Sequence, residues 1–173
     1  MSELTPTETT NLCRYGSAPL EWSRALAALQ VNSSPTLTHW LGTCRPDGTP
    51  HAAGVGAQWR DGFFYFTSNP ATRKARDLAV NPRCTLSAPL PGLDVVLEGT
   101  AERVTDAPTL EAVAAGYRDG GWPAEVAGDA LTAPFSAPSA GPPPWEVYRF
   151  TFHSLVGVAT AEPHGATRWR FNR

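Results

Sequence analysis

Two Asp-Gly pairs, Asp47-Gly48 and Asp61-Gly62, sit between runs in which apolar and polar residues alternate. That arrangement is a strong short-range signal for a tight reversal between antiparallel strands. It commits the middle of the chain to a meander. One strand is predicted over 36–45, with Leu37, His39 and Leu41 on one side. The second runs over 50–60, and the third is the aromatic run Phe63-Phe64-Tyr65-Phe66-Thr67.

The remaining pattern extends the sheet. Strands are predicted over 83–89, 93–104, 145–159 and 166–171. Over 93–104, Val95, Leu97 and Gly99 alternate with Val96, Glu98 and Thr100. A helix is predicted over 19–30, where Trp22, Ala25, Leu26 and Leu29 share a face. Asp106 caps another that runs to Arg118 and ends at Gly120-Gly121. A short third helix follows the aromatic strand. Seven strands in mostly antiparallel order with about three helices describe a mainly β, α+β fold, a closed or split antiparallel barrel. A doubly wound sheet is excluded, and no GxGxxG is present. Residues 1–16 read as an N-terminal tail and 17–173 as one domain. Inside it, 128–144 is rich in Ala, Pro, Ser and Gly and cannot build a core of its own. It reads as a long loop, either a lid or an arm on a partner subunit.

Composition narrows the function classes. The 173 residues are 42% hydrophobic and 17% charged, ordinary for a soluble globular chain. A net charge of −2 implies no broad attraction to nucleic acid or to an anionic membrane. No apolar stretch approaches transmembrane length, and residues 1–11 lack a signal-peptide core. Cys13, Cys44 and Cys84 form no CxxC pair and read as reduced thiols of a cytoplasmic protein. His39, His51, His153 and His164 show no metal spacing, so no metal site is expected. His39 is expected to be a partly buried strand residue, and His51 follows a turn beside the site described next. No Ser-His-Asp order and no carboxylate pair stands out, so no catalytic side chain is identified.

The chemistry concentrates where the aromatic strand meets its helix. Asn69 reads as the N-cap and Pro70 as the first helical residue, with Leu78 on the apolar face and Asn81-Pro82 as the stop. Arg73 and Lys74 then lie near the positive end of the helix dipole, which is unfavourable by about 0.3–1 kcal/mol per charge. An anion at that end reverses the sign, because backbone N–H groups, the hydroxyls of Thr67 and Ser68 and both cations converge on it. Phosphate is the natural candidate. Lys74 is also the only lysine of the chain; every other strong base is arginine, and a lone lysine points to a compact point charge. The plainer alternative is a pair of solvated surface cations.

In order and spacing the chain resembles the pyridoxamine 5′-phosphate oxidase-like family, the flavin-binding split barrels. The resemblance rests on Arg45-Pro46-Asp47-Gly48-Thr49-Pro50-His51, Trp59-Arg60-Asp61-Gly62, Phe64-Tyr65-Phe66-Thr67-Ser68 and Arg73-Lys74-Ala75-Arg76-Asp77-Leu78. Asn81-Pro82-Arg83, Leu97-Glu98-Gly99-Thr100-Ala101 and Thr167-Arg168-Trp169-Arg170-Phe171 continue it to the C-terminus. It looks closest to the actinobacterial-type branch, whose members use FMN or the deazaflavin coenzyme F-420. The resemblance implies a split barrel that forms a homodimer, with two cofactor sites at the interface. By position, Ser68, Arg73 and Lys74 hold the cofactor phosphate, with Thr67 at the strand exit. The backbone of Gly54, Val55, Gly56 and Ala57 faces the ring's polar edge, and Gln58 and Trp59 border the site. Arg168 and Trp169 approach from near the interface. Gly54-Val55-Gly56 departs from the usual pattern of a Pro, a Val and an aromatic residue, which implies a roomier or differently shaped pocket. An aromatic residue at position 56 is accordingly expected to leave folding intact and to change ligand preference.

Two classes of function follow. One is an oxidoreductase that uses FMN or the deazaflavin to move a hydride to or from a small organic substrate, the cofactor performing the chemistry. The other is a module that holds a flavin, a deazaflavin or haem without turnover. Oxidation of pyridoxamine phosphate itself requires a second basic cluster for the substrate phosphate, and the sequence shows none.

Overall fold

The computed structural model describes residues 4–31 and 35–173. In chain order the elements are β1 (Glu8–Asn11), α1 (Trp22–Val31), β2 (Thr38–Cys44), β3 (Pro50–Gly56), β4 (Gln58–Arg60), β5 (Phe63–Ser68) and α2 (Arg73–Val80). β6 (Arg83–Leu90), β7 (Leu93–Val104), α3 (Ala107–Asp119), β8 (Glu125–Ala127), β9 (Ala130–Thr132), β10 (Glu146–Ala159) and β11 (Ala166–Arg170) complete them.

The meander is present, with one change. The strand expected over 50–60 breaks at Ala57. Its first part pairs with β2, from Thr38↔Gly56 to Cys44↔Pro50, and its second part pairs with β5. Gly54 and Gly56, which have no side chain to pack, let the strand bend and change partner. At the second reversal Asp61 and Gly62 both have positive φ, 52° and 87°, as a two-residue hairpin of the favoured hand requires.

The main sheet runs β1-β11-β10-β7-β6-β2-β3, with β5 branching from β10 and carrying β4. β10 is the seam. Its residues 146–150 pair with β5, residues 154–158 pair with β11, and β7 lies along nearly all of it. The sheet therefore curls into an antiparallel barrel that does not close, since no ladder among the described residues joins β3 to β5. This is a split barrel.

Two neighbouring rows across the sheet show its two faces. Leu41, Leu86, Leu97, Leu155 and Trp169 are partners in register, and all are at most 1% exposed. The adjacent row, Gly54, Trp40, Ser87, Val96, Val156 and Arg168, faces outward. In it Trp40 is 53% exposed and Val96 45%. Below the inner face lie Phe64, Phe66, Phe150 and Phe152. A second core forms where α3 packs its Leu110, Val113, Ala114 and Tyr117 on Tyr65, Val104 and Val147. α1 packs Trp22 against Trp169 and Phe171, at 5.6 and 5.0 Å between ring centroids.

Two expectations are corrected. The segment taken as a tail contains β1, which pairs with β11 from Glu8↔Arg170 to Asn11↔Thr167. An exposed edge strand buries neither face, so its sequence carries no apolar period. The stretch 128–144, expected to be loop throughout, opens with β9, whose Ala130 and Leu131 are buried against the α3 layer. Only 133–144 is loop, and its base is closed by reciprocal backbone bonds of 2.8 Å between Leu131 and Trp145.

Candidate functional site

β5 ends at Ser68, and the chain turns before α2 begins. Asn69 does not cap the helix. Its side-chain oxygen accepts from the Ala71 N–H at 2.8 Å, closing a local turn, and Thr72 becomes the cap. The Thr72 hydroxyl donates to the Asn69 carbonyl at 2.8 Å and accepts from the Ala75 N–H at 3.4 Å. The Ser68 and Thr72 hydroxyls share a 2.7 Å hydrogen bond. The later start moves the cations to the very end of the helix. Arg73 and Lys74 are its first two residues, where backbone N–H groups have no partner within the helix.

Lys74 lines a cavity of about 230 Å³. Thr67 and Ser68 stand beside it, Gly54, Val55 and Gly56 form a second wall, and Tyr117, Trp122 and Trp145 form a third. β3 ends the sheet path, so its outer edge carries no ladder. One backbone group of that edge is engaged: the Tyr117 hydroxyl donates to the Gly56 carbonyl at 2.7 Å. Burial holds the Tyr117 phenol above its ordinary range, so it stays a neutral donor. Trp122 packs edge-on to Tyr117 and to Trp145, at 5.0 and 5.3 Å between centroids. Ser136, Ala137, Ser139 and Ala140 of the 133–144 loop roof the space.

The electrostatics are one-sided. No carboxylate lines the cavity, and no ion pair engages Lys74 among the described residues. Partial burial holds the Lys74 ammonium below its usual pKa. A cation that is desolvated, unpaired and set at a helix N-terminus is suited to an anion.

Of the residues expected at the site, the structure brings together Gly54, Val55, Gly56, Thr67, Ser68 and Lys74. Arg73 is exposed and does not line the cavity. Ala57 is fully buried. Gln58 is a strut, its side-chain amide donating to the Val113 carbonyl at 3.0 Å and locking β4 to α3. Trp59 packs on Phe64 and Phe152 on the other side of the barrel. Trp169 belongs to the core, and Arg168 lies on the outer sheet row, in a groove with Glu98 and His153. Within one chain neither reaches the cavity. His39 is buried edge-on to Phe64, as expected, and burial lowers its pKa. His51 lies on a separate groove with Thr43 and Cys84. The pocket is also less open at Gly56 than expected. A Cβ built there falls 2.7 Å from the Pro35 carbonyl, so an aromatic side chain at 56 has no room.

Sequence reading missed Thr72, Tyr117, Trp122 and Trp145, and left the roof segment as either a lid or an arm on a partner subunit. Only Thr72 left a local signal, a hydroxyl three residues before Ala75. The aromatic wall comes from the end of α3 and the start of β10, distant in sequence and adjacent only once the barrel forms.

Comparison with known proteins places these features. Residues 30–155 match the family model described as pyridoxamine 5′-phosphate oxidase. A pyridoxine/pyridoxamine 5′-phosphate oxidase from Acidothermus cellulolyticus is 34% identical over 103 residues, 57% of this chain. The match spans 46% of that protein, so the chain covers about half of the relative's length. Among solved structures, an F420 reductase superposes with a TM-score of 0.52 at 21% identity, over 71% of this chain and 90% of that one. A heme-binding protein from Mycobacterium smegmatis gives 0.55 at 18% identity, over 81% and 55%. These two likenesses carry the fold alone. With the split barrel and the match over 30–155 together, the chain belongs to the pyridoxamine 5′-phosphate oxidase family.

Proposed function

We propose that this protein is a flavin- or deazaflavin-dependent oxidoreductase acting on a small organic substrate, with FMN the first candidate cofactor and coenzyme F-420 the second. The observation that carries the reading is Lys74, an unpaired, desolvated cation at the start of α2, set into a cavity with Thr67 and Ser68. The residues present fit the group. Lys74, the Ser68 hydroxyl and the first N–H groups of α2 would hold a phosphate. The free edge of β3 at Gly54–Gly56 offers backbone donors and acceptors to the polar rim of a ring, and Tyr117 fixes that edge. When bound, such a cofactor supplies the hydride chemistry, and the protein's part is to bind, orient and exclude water. Among the described residues no carboxylate, histidine or cysteine lines the cavity, in keeping with that division.

The protein works as a homodimer in this reading. A twofold axis through the middle of the outer sheet row would cover Trp40 and Val96 and bring Arg168 of one protomer toward Gly54 of the other. The substrate is a small molecule rather than nucleic acid or membrane, and the unpaired Cys13, Cys44 and Cys84 suit the reducing cytoplasm. A binding module without turnover is the second reading, favoured by the lack of a carboxylate, histidine or cysteine among the described residues that line the cavity. Its haem variant finds no histidine, cysteine or methionine there to ligate iron.

Titration calorimetry with FMN and with F-420 tests the proposal. One of them should bind, and Lys74→Ala should weaken it about 10- to 100-fold, the loss of one charge-assisted hydrogen bond. Equal affinity in the variant would remove the site. Reduction of the bound cofactor by a hydride donor, followed by turnover, separates the oxidoreductase from the carrier.

A further inference from the structure

We propose that residues 133–144 are the fourth wall of the binding site, a lid latched by Asn69, Trp122 and Trp145 that closes over an anionic ligand held by Lys74. The inference rests on the reading of the Lys74 cavity as the ligand site and adds what controls access to it.

The loop is placed as a roof but is not held as core. Ser136, Ala137, Ser139 and Ala140 line the cavity opposite Lys74, yet no residue from 133 to 144 is buried. Phe135, its one large apolar residue, is 59% exposed. What holds the loop down is three side chains of the body that donate to loop carbonyls. The Asn69 amide donates to Pro142 at 2.6 Å, the Trp122 indole to Phe135 at 2.6 Å and the Trp145 indole to Ala140 at 3.3 Å. A segment held by a few polar contacts, without buried apolar area, opens at low cost. Pro134, Pro138, Pro142, Pro143 and Pro144 stiffen it, and the paired Leu131 and Trp145 backbones fix its base. It is built to swing as a unit.

Opening is also required. The cavity beneath the lid, about 230 Å³, lies below the roughly 300–1,000 Å³ of ordinary small-molecule sites, so a nucleotide-sized ligand enters only with the lid displaced, and the lid then closes over its anionic end alone. Asn69 then links the lid to the anion. Its amide holds Pro142, its side-chain oxygen holds Ala71, and its carbonyl is gripped by Thr72, which shares a proton with Ser68. An anion that orders Ser68, Thr72 and Lys74 orders the latch with them. Ser136 and Ser139 of the lid line the same cavity as Lys74.

Hydrogen exchange of the lid at Ala140, whose N–H is bonded to the Ala137 carbonyl at 2.9 Å, with and without saturating FMN, tests this on the full chain. In the ligand-free protein, Asn69→Ala and, separately, Trp122→Phe should each speed lid exchange about tenfold, the effect of one lost hydrogen bond, while β7 exchange stays unchanged. FMN should slow lid exchange in the wild type, and its exit, followed by Trp fluorescence, should be about tenfold faster in either variant. Lid exchange that is the same in the wild type and in both variants overturns the proposal, whether or not FMN binds. A wild type that binds no FMN refutes the FMN reading, while the ligand-free comparison still decides the lid.

Discussion

Burial makes Lys74 a cost to the empty protein, which the anion of the proposed function would offset. Burial lowers its pKa, so the folded state binds the Lys74 proton less tightly than the unfolded chain does. The penalty is therefore present at neutral pH and fades as pH rises through the native pKa toward the unfolded value near 10.5. Lys74→Gln should raise the melting temperature of the ligand-free protein at pH 7, and the gain should shrink in alkaline buffer. A gain that persists unchanged at high pH would show that charge is not its cause. Gly56 is constrained on the opposite wall. Its missing Cβ leaves 2.7 Å to the Pro35 carbonyl, and backbone yields less readily than a side chain. Gly56→Ala should destabilise the ligand-free protein by about 1–3 kcal/mol, a typical overpacking cost, read as a fall in the urea midpoint. The place of Lys74 in the first turn of α2 was legible in the sequence. The closeness of Pro35 to Gly56 was not, because no local pattern reports a contact across a turn.

At the scale of elements, legibility followed the strength of local signals. β7 occupies Leu93–Val104 as alternation predicted, because turn residues bound it and one face is buried throughout. α3 starts at its Asp106 cap for the same reason. α2 starts later than predicted because Asn69 and Thr72 both satisfy a capping pattern, and Asn69 uses its oxygen on Ala71 instead. The strand over 50–60 was read as one because no proline or Asp-Gly pair interrupts it after Pro50, although its partner changes at Ala57. β1 was invisible, since Glu8-Thr9-Thr10-Asn11 has no buried face. It nevertheless holds the molecule together: it pairs with β11, and the Trp22 indole donates to the Leu4 carbonyl at 2.7 Å. Removing residues 1–11 should cost about 1–3 kcal/mol, several exposed hydrogen bonds at their net value. Trp22 should become more accessible to a fluorescence quencher. An unaltered melt and unaltered quenching would make the segment a tail after all.

At the scale of the molecule, the outer sheet row decides what one chain cannot. Gly54 lies at the cavity end of that row and Arg168 at the far end, with Trp40 and Val96 exposed between them. In the dimer we propose, a reversed copy of this row would set Arg168 opposite Gly54 and Val156 opposite Trp40, as an isologous interface requires. Light scattering should therefore report a dimer, and Trp40→Glu, which sets a charge in the middle of the row, should yield monomers. Whether the site is shared needs a stricter test. Lys74→Ala and Arg168→Ala should each weaken cofactor binding alone. In a shared site, a mixed dimer of the two variants has one site with both defects and one with neither. Unfolding and refolding them together in equal amounts should then restore about a quarter of the wild-type binding capacity, since half the dimers are mixed and each has one intact site of two. A site built within one chain gives every site in the mixture a defect. Capacity would then stay at the level of the separate variants, and Arg168 would belong to the surface of its own subunit.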